Sequence, residues 1–135
     1  MIKLSLEGER VLRDAVAAIE MDLEHWDQEY YVNDDPETTR SCGTTACLAG
    51  QIVANEKQMT LKHLNSWQHY NSIPEKAVEL LGLTGDLYDE VTEASIFRRE
   101  IFLFTHRDED VRLATTPENL KFLKERIAEV TGIEL

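Results

Sequence analysis

The sequence predicts an all-α fold, a compact bundle of about five to six helices led by one long N-terminal helix. Apolar residues recur at three- and four-residue steps in several segments, helix-starting Ser/Thr and helix-stopping Gly residues punctuate the chain, and long apolar/polar alternation is absent. The chain of 135 residues, 42% of them hydrophobic, suits one domain spanning 1–135 with a polar loop at 33–41.

The first element follows from Leu12, Ala15, Val16, Ile19, Leu23, Trp26 and Tyr30, which lie on one stripe and predict a helix from Gly8 to Tyr30. Asn33-Asp34-Asp35-Pro36 then breaks the pattern, because Pro36 cannot continue a helix and Asx residues favour turns. A second helix is expected from about Thr45 to Lys57. Leu61, Leu64 and Trp67, with Tyr70 beyond, predict a short third one.

In the second half, Ser72-Ile73-Pro74-Glu75 has capping-box spacing, and Pro74 is tolerated in a first turn where its missing N–H has no helical partner. The helix it opens carries Ala77, Leu80 and Leu81 and should stop at Gly82. Thr84 offers a cap for a further short helix through Leu87, Tyr88 and Val91. Ile96-Phe97 and Ile101-Phe102-Leu103-Phe104 form the densest apolar patch, and the second run reads equally as helix or buried strand. Thr116-Pro117-Glu118 opens a last helix with Leu120, Leu123, Ile127 and Val130 on one face, ending at Gly132.

Charge narrows the functional classes. Asp and Glu number 26 against 14 Lys and Arg, a formal net charge of -12. Such a chain repels phosphate backbones, so direct nucleic-acid binding is not expected. No run of about 18 apolar residues appears, so no membrane span is expected, and the N-terminus lacks a signal-peptide core. Two cysteines without an export signal point to a reducing cytoplasm. Between Arg13 and Arg40 there is no Lys or Arg, while Asp14, Glu20, Asp22, Glu24, Asp27, Glu29, Asp34, Asp35 and Glu37 all fall there. This is either a solvated face or a surface that meets a basic partner.

Cys42-Gly43-Thr44-Thr45-Ala46-Cys47-Leu48-Ala49-Gly50 combines two thiols with a turn glycine and small residues. Thr44 or Thr45 is expected to cap a helix, placing Cys47 in its first turn and exposing the thiol to the positive end of the helix dipole. Ala49 and Gly50 should let another backbone approach, that of the first helix or of the Leu80-Leu81 helix. In this packing reading the cysteines are small hydrophobes. A Cys–His nucleophile using His25, His63, His69 or His106, a Cys42–Cys47 disulfide, and a zinc site of Cys42, Cys47, His63 and His69 are the alternatives. Against zinc, His63 and His69 on a continuous helix would face about 240° apart. Asp108-Glu109-Asp110 lacks the alternating spacing of a calcium loop. No phosphate loop, serine elbow or metalloprotease helix is present.

The segment Cys42 to Gly50 resembles the CGTxxCxAG segment of a group of small, uncharacterised phage and bacterial proteins, actinobacterial ones included. Ala77-Val78-Glu79-Leu80-Leu81-Gly82-Leu83-Thr84 is similar to that group's LLGLT segment, and Thr116-Pro117-Glu118 to its late helix start. Gln51 departs from the group, which often carries an aromatic residue there. The resemblance implies an origin and no activity.

The function expected from these features is non-enzymatic. An acidic helical protein of phage or mobile-element origin would bind a host protein with a basic, nucleic-acid-binding surface. Glu20, Asp22, Glu24, Asp27 and Glu29 would supply charge, and Trp26, Tyr30 and Tyr31 the apolar anchors. Cys42, Gly43, Thr44, Thr45, Cys47 and Gly50 are read as structural, with no cofactor and no catalytic residue. Self-association through Phe102 and Phe104 is compatible with this reading. The competing expectation is a thiol- or zinc-dependent enzyme or redox protein centred on Cys42 and Cys47.

Overall fold

The N-terminal stripe forms a helix, but a shorter one than its spacing predicts. A computed structural model describes residues 1–27, 30–34, 44–89, 91–102 and 116–135. In it α1 spans Leu6–Met21, with Ser5 as N-cap accepting from the Gly8 N–H at 3.0 Å. Val11, Leu12, Ala15, Val16 and Ile19 are buried as the stripe requires. The helix stops where Asp22 closes onto the Ile19 carbonyl at 3.1 Å, and a 3-10 turn follows over Leu23–His25. Its last turn has no basic residue, and Asp22 and Glu24 stand at the negative end of the dipole, an arrangement that disfavours continuation.

The second helix, α2, spans Leu48–Glu56 and begins three residues later than expected. Backbone pairing sets the delay. Thr45 exchanges hydrogen bonds with Asn33 (2.8 and 2.9 Å), and the Ala46 N–H donates to the His25 carbonyl at 3.1 Å. These bonds hold residues 45 and 46 extended as two isolated bridges, so Cys47 is the N-cap and neither threonine serves. Leu48, Ala49, Gly50, Ile52, Val53 and Ala54 are all buried, which makes α2 the apolar centre of the fold. It packs chiefly against α1 and against α4 (Ile73–Leu80), with α3 (Leu61–Trp67) beside it. The backbone that approaches Gly50 belongs to neither predicted helix. It is the carbonyl of Tyr31, with which a Cβ on Gly50 would collide.

Helix α4 follows the sequence closely. Ser72 caps it, accepting from the Glu75 N–H, and Pro74 sits in the first turn. At its end Gly82 adopts φ 73°. The Gly82 N–H donates to the Glu79 carbonyl and the Leu83 N–H to the Val78 carbonyl, both at 3.0 Å, which is a Schellman stop. No helix runs through Leu87, Tyr88 and Val91, because the Thr84 N–H and hydroxyl both donate to the Glu93 carboxylate instead of capping. The cap is Thr92, which opens α5 (Glu93–Phe97). A π turn over Arg98–Phe102 continues it and resolves the helix-or-strand ambiguity of Ile101 and Phe102. Phe102 is fully buried, edge-on to Phe97 with ring centroids 5.8 Å apart, so it offers no surface for self-association. Phe104 and Asp108-Glu109-Asp110 lie outside the described residues.

The last helix, α6, spans Pro117–Thr131 between its Thr116 cap and Gly132. Leu120, Leu123 and Ile127 face the core, and the Ile2 N–H reaches the Val130 carbonyl at 2.8 Å. The described residues thus form an all-α fold of six helices with no strand. Among them, no helix is long and apolar enough to cross a membrane.

Candidate functional site

The segment from Thr44 to Gly50 lies against the two pieces of chain that follow α1. The Asp27 N–H donates to the Ala46 carbonyl at 3.0 Å, and the Cys47 N–H to the Tyr30 carbonyl at 2.9 Å. The Gln51 amide reaches back to the carbonyls of His25 (3.1 Å) and Ala46 (3.3 Å). In the sequence Gln51 stands out only as a departure from an aromatic position. Here it joins the first turn of α2 to the 3-10 turn. Cys42 and Gly43 fall outside the described residues, so the predicted turn and the Cys42–Cys47 pairing do too.

Cys47 is fully buried. Burial pushes its thiol from an ordinary 9.0 up to about 12; the backbone N–H groups of Gly50 and Ala49 pull the other way, and the nearby Asp27 carboxylate adds to the rise. Desolvation therefore outweighs the helix N-terminus, and at neutral pH the sulfur is a protonated core atom with little nucleophilic character. Burial, with Cys47 adding to it, likewise raises the Tyr31 phenol. Of the residues in the zinc alternative, His63 and His69 are exposed whereas Cys47 is in the core, and these three do not form a ligand cluster; Cys42 lies outside the described residues.

The predicted acidic surface is partly assembled and partly not. Glu20 is exposed but paired with Lys124 of α6. Along the same helix Arg10 holds Glu7, Asp14 and Glu56, and Arg13 holds Glu9, so much of the charge on α1 is neutralised locally. Asp22 and Glu24 are exposed, and Tyr30 is 37% exposed. Trp26 corrects the expectation: it is fully buried, a core residue rather than a surface anchor, because the chain turns at Asp22 and brings the indole inward beside Ala46. Asp27 is only 6% exposed and so is not part of an open charged face. Tyr31 is half-buried, and Glu29 lies outside the described residues.

Of what remains, Asp22 borders a cavity of about 390 Å³ lined also by His25, Asp34, Thr44, Leu61 and Lys62. The Thr44 hydroxyl donates to Asp34 Oδ1 at 2.7 Å and fixes that carboxylate. His25 Nδ1 lies 2.8 Å from both Asp22 oxygens. Asp22, Glu24 and His25 bring ligand atoms within 4.8 Å of one another, so these are the described residues whose donors suit a borderline divalent cation. Asp34 and Thr44 joined the site only through the fold, since ten residues separate them.

Comparison of the chain with known protein families, with curated proteins and with solved structures gives no match.

Proposed function

We propose that this is a non-enzymatic, acidic helical protein of phage or mobile-element origin, related to the group that shares its cysteine segment. It acts in the cytoplasm by binding and inhibiting a host protein with a basic, nucleic-acid-binding surface. The observation that carries this reading is the exposure of Asp22, Glu24 and Asp34, with Asp22 beside Glu24 and sharing a cavity with Asp34 and with Tyr30 nearby in the chain, while the Cys47 sulfur is sealed in the core. Exposed carboxylates around a shallow cavity attract a basic surface over distances of about a Debye length. Tyr30 and the half-buried Tyr31 supply the aromatic contact.

The test is capture of partners from host lysate on immobilised protein, with quantitative mass spectrometry, at low and high salt. A basic partner should be retained at low salt, released at high salt, and lost from an Asp22→Lys/Glu24→Lys/Asp34→Lys variant of unchanged helicity. Equal capture by the reversed variant would sink this reading.

A further inference from the structure

A second cleft, about 310 Å³ in volume, opens where the ends of α2 and α3 meet the exposed side of α4. Trp67, half-buried, forms part of its wall, and Lys57, Asn71 and Glu75 border it. The Lys57 ammonium lies 5.9 Å from the centre of the Trp67 ring. Lys76, on the same wall, is paired with Glu79 at 3.1 Å. Lys57 and Glu75 differ: neither makes an ion pair with any described residue, and although they share one cleft their charged atoms stay beyond salt-bridge distance of each other. The cleft therefore presents one unpaired cation and one unpaired anion, held apart on a wall that carries an indole.

We propose that this cleft binds a free α-amino acid as its zwitterion. The ligand carboxylate pairs with Lys57, the ligand ammonium pairs with Glu75, and an apolar side chain lies against Trp67. Both ligand charges gain charge-assisted hydrogen bonds, whereas a ligand with a single charge leaves either Lys57 or Glu75 unmatched. The volume is at the small end for ligand pockets, which suits an amino acid and is tight for a nucleotide. Asn71, whose Nδ2 donates to the Trp67 carbonyl at 3.0 Å, keeps its side-chain oxygen as a further acceptor. The site is separate from the acidic end of α1 and does not depend on the protein-binding reading.

Trp67 provides the readout, because Trp26, the other tryptophan, is sealed in the core. Titration of the purified chain with L-leucine should change its intrinsic fluorescence saturably in the millimolar range or below, and calorimetry should give the same affinity. N-acetyl-leucine, which keeps only the carboxylate, and leucinamide, which keeps only the ammonium, should each bind at least about tenfold more weakly. Lys57→Met and Glu75→Gln should each weaken leucine by about tenfold or more while leaving thermal melts unchanged, and Trp67→Phe should remove the optical signal. The proposal is overturned by silence in both assays up to ~20 mM leucine. It is equally overturned by comparable binding of either blocked form, or by a loss confined to only one of the two charge variants.

Discussion

Gly50 lies directly under the carbonyl oxygen of Tyr31, at a separation that admits no Cβ between them. This contact seats the first turn of the central helix α2 against the chain segment that carries Tyr30 and Tyr31. It makes the cysteine segment an architectural part of the acidic end, although the segment supplies no exposed reactive group among the described residues.

Gly50→Ala should therefore be costly. The neighbour is backbone, held by the Cys47 N–H to Tyr30 carbonyl bond, and cannot swing aside as a side-chain tip would. Overpacking of this kind costs about 1–3 kcal/mol, and the upper part of that range is expected here. Urea denaturation should show a lower midpoint at unchanged slope. An unchanged midpoint would mean that the Tyr31 segment does not sit on α2 in solution.

The burial of Cys47 makes stability depend on pH in one direction. Its thiol titrates near 9.0 when unfolded and is pushed up to about 12 in the fold. Below pH 9 both states hold the proton and the group adds no slope. Between about pH 9 and 12 the unfolded chain releases the proton and the folded chain keeps it, so stability falls as pH rises, by up to about 1.4 kcal/mol per pH unit. The raised Tyr31 phenol acts in the same sense at still higher pH. Cys47→Ala should flatten the first part of this decline. Denaturation midpoints measured from pH 7 to 11 check it, and a Cys47→Ala curve parallel to the parent would count against a buried thiol.

The same residues show why some features were readable in the sequence and others were not. Ser72 to Gly82 and Thr116 to Gly132 carry their start and stop signals within the helix itself, so local chemistry decides their bounds. The end of α1 is different. Leu23, Trp26 and Tyr30 keep the helical period, but the chain leaves the helix at Asp22, where acidic residues disfavour continuation and where residues 26 and 33 go on to pair with residues 46 and 45, a pairing that no local pattern announces. For the same reason the sequence pattern places Trp26 and Asp27 on the surface, whereas the fold buries both. Thr84 is the cap that the sequence offers, and Thr92 is the cap that the fold uses. Only the Glu93 carboxylate, nine residues from Thr84, decides between them by engaging Thr84. The cleft beside Trp67 draws on three helices, so no single segment foretells it.

Helix α2 ends on a left-handed residue that is not glycine. Gln58 has φ 54°, alone among the described non-glycine residues, and the Met59 N–H donates to the Ala54 carbonyl at 2.9 Å. The position is equivalent to Gly82 at the end of α4, where glycine takes φ 73°. A side chain in this region costs about 1–2 kcal/mol, offset in part by the greater freedom glycine has when unfolded. Gln58→Gly should raise stability by about 0.5–1 kcal/mol, and Gly82→Gln should lower it by a comparable or larger amount. Opposite shifts of the melting temperature in the two variants are the expected result, and two shifts of the same sign would contradict the shared stop geometry.

Thr45 separates a capping role from the extended role found here. Its hydroxyl is buried without a hydrogen-bond partner among the described residues, while its backbone N–H and carbonyl are both engaged by Asn33. If the hydroxyl capped α2, removing it would cost about 0.5–2 kcal/mol. In the extended arrangement it is a desolvated group with nothing to satisfy it, and Val fills nearly the same volume without that penalty. Thr45→Val should therefore raise stability by about 1 kcal/mol, whereas Thr45→Ala should lower it by opening space at a buried position. Chemical denaturation of the two variants checks both signs. A destabilised Thr45→Val would return the hydroxyl to a bonding role and with it the cap that the sequence suggested.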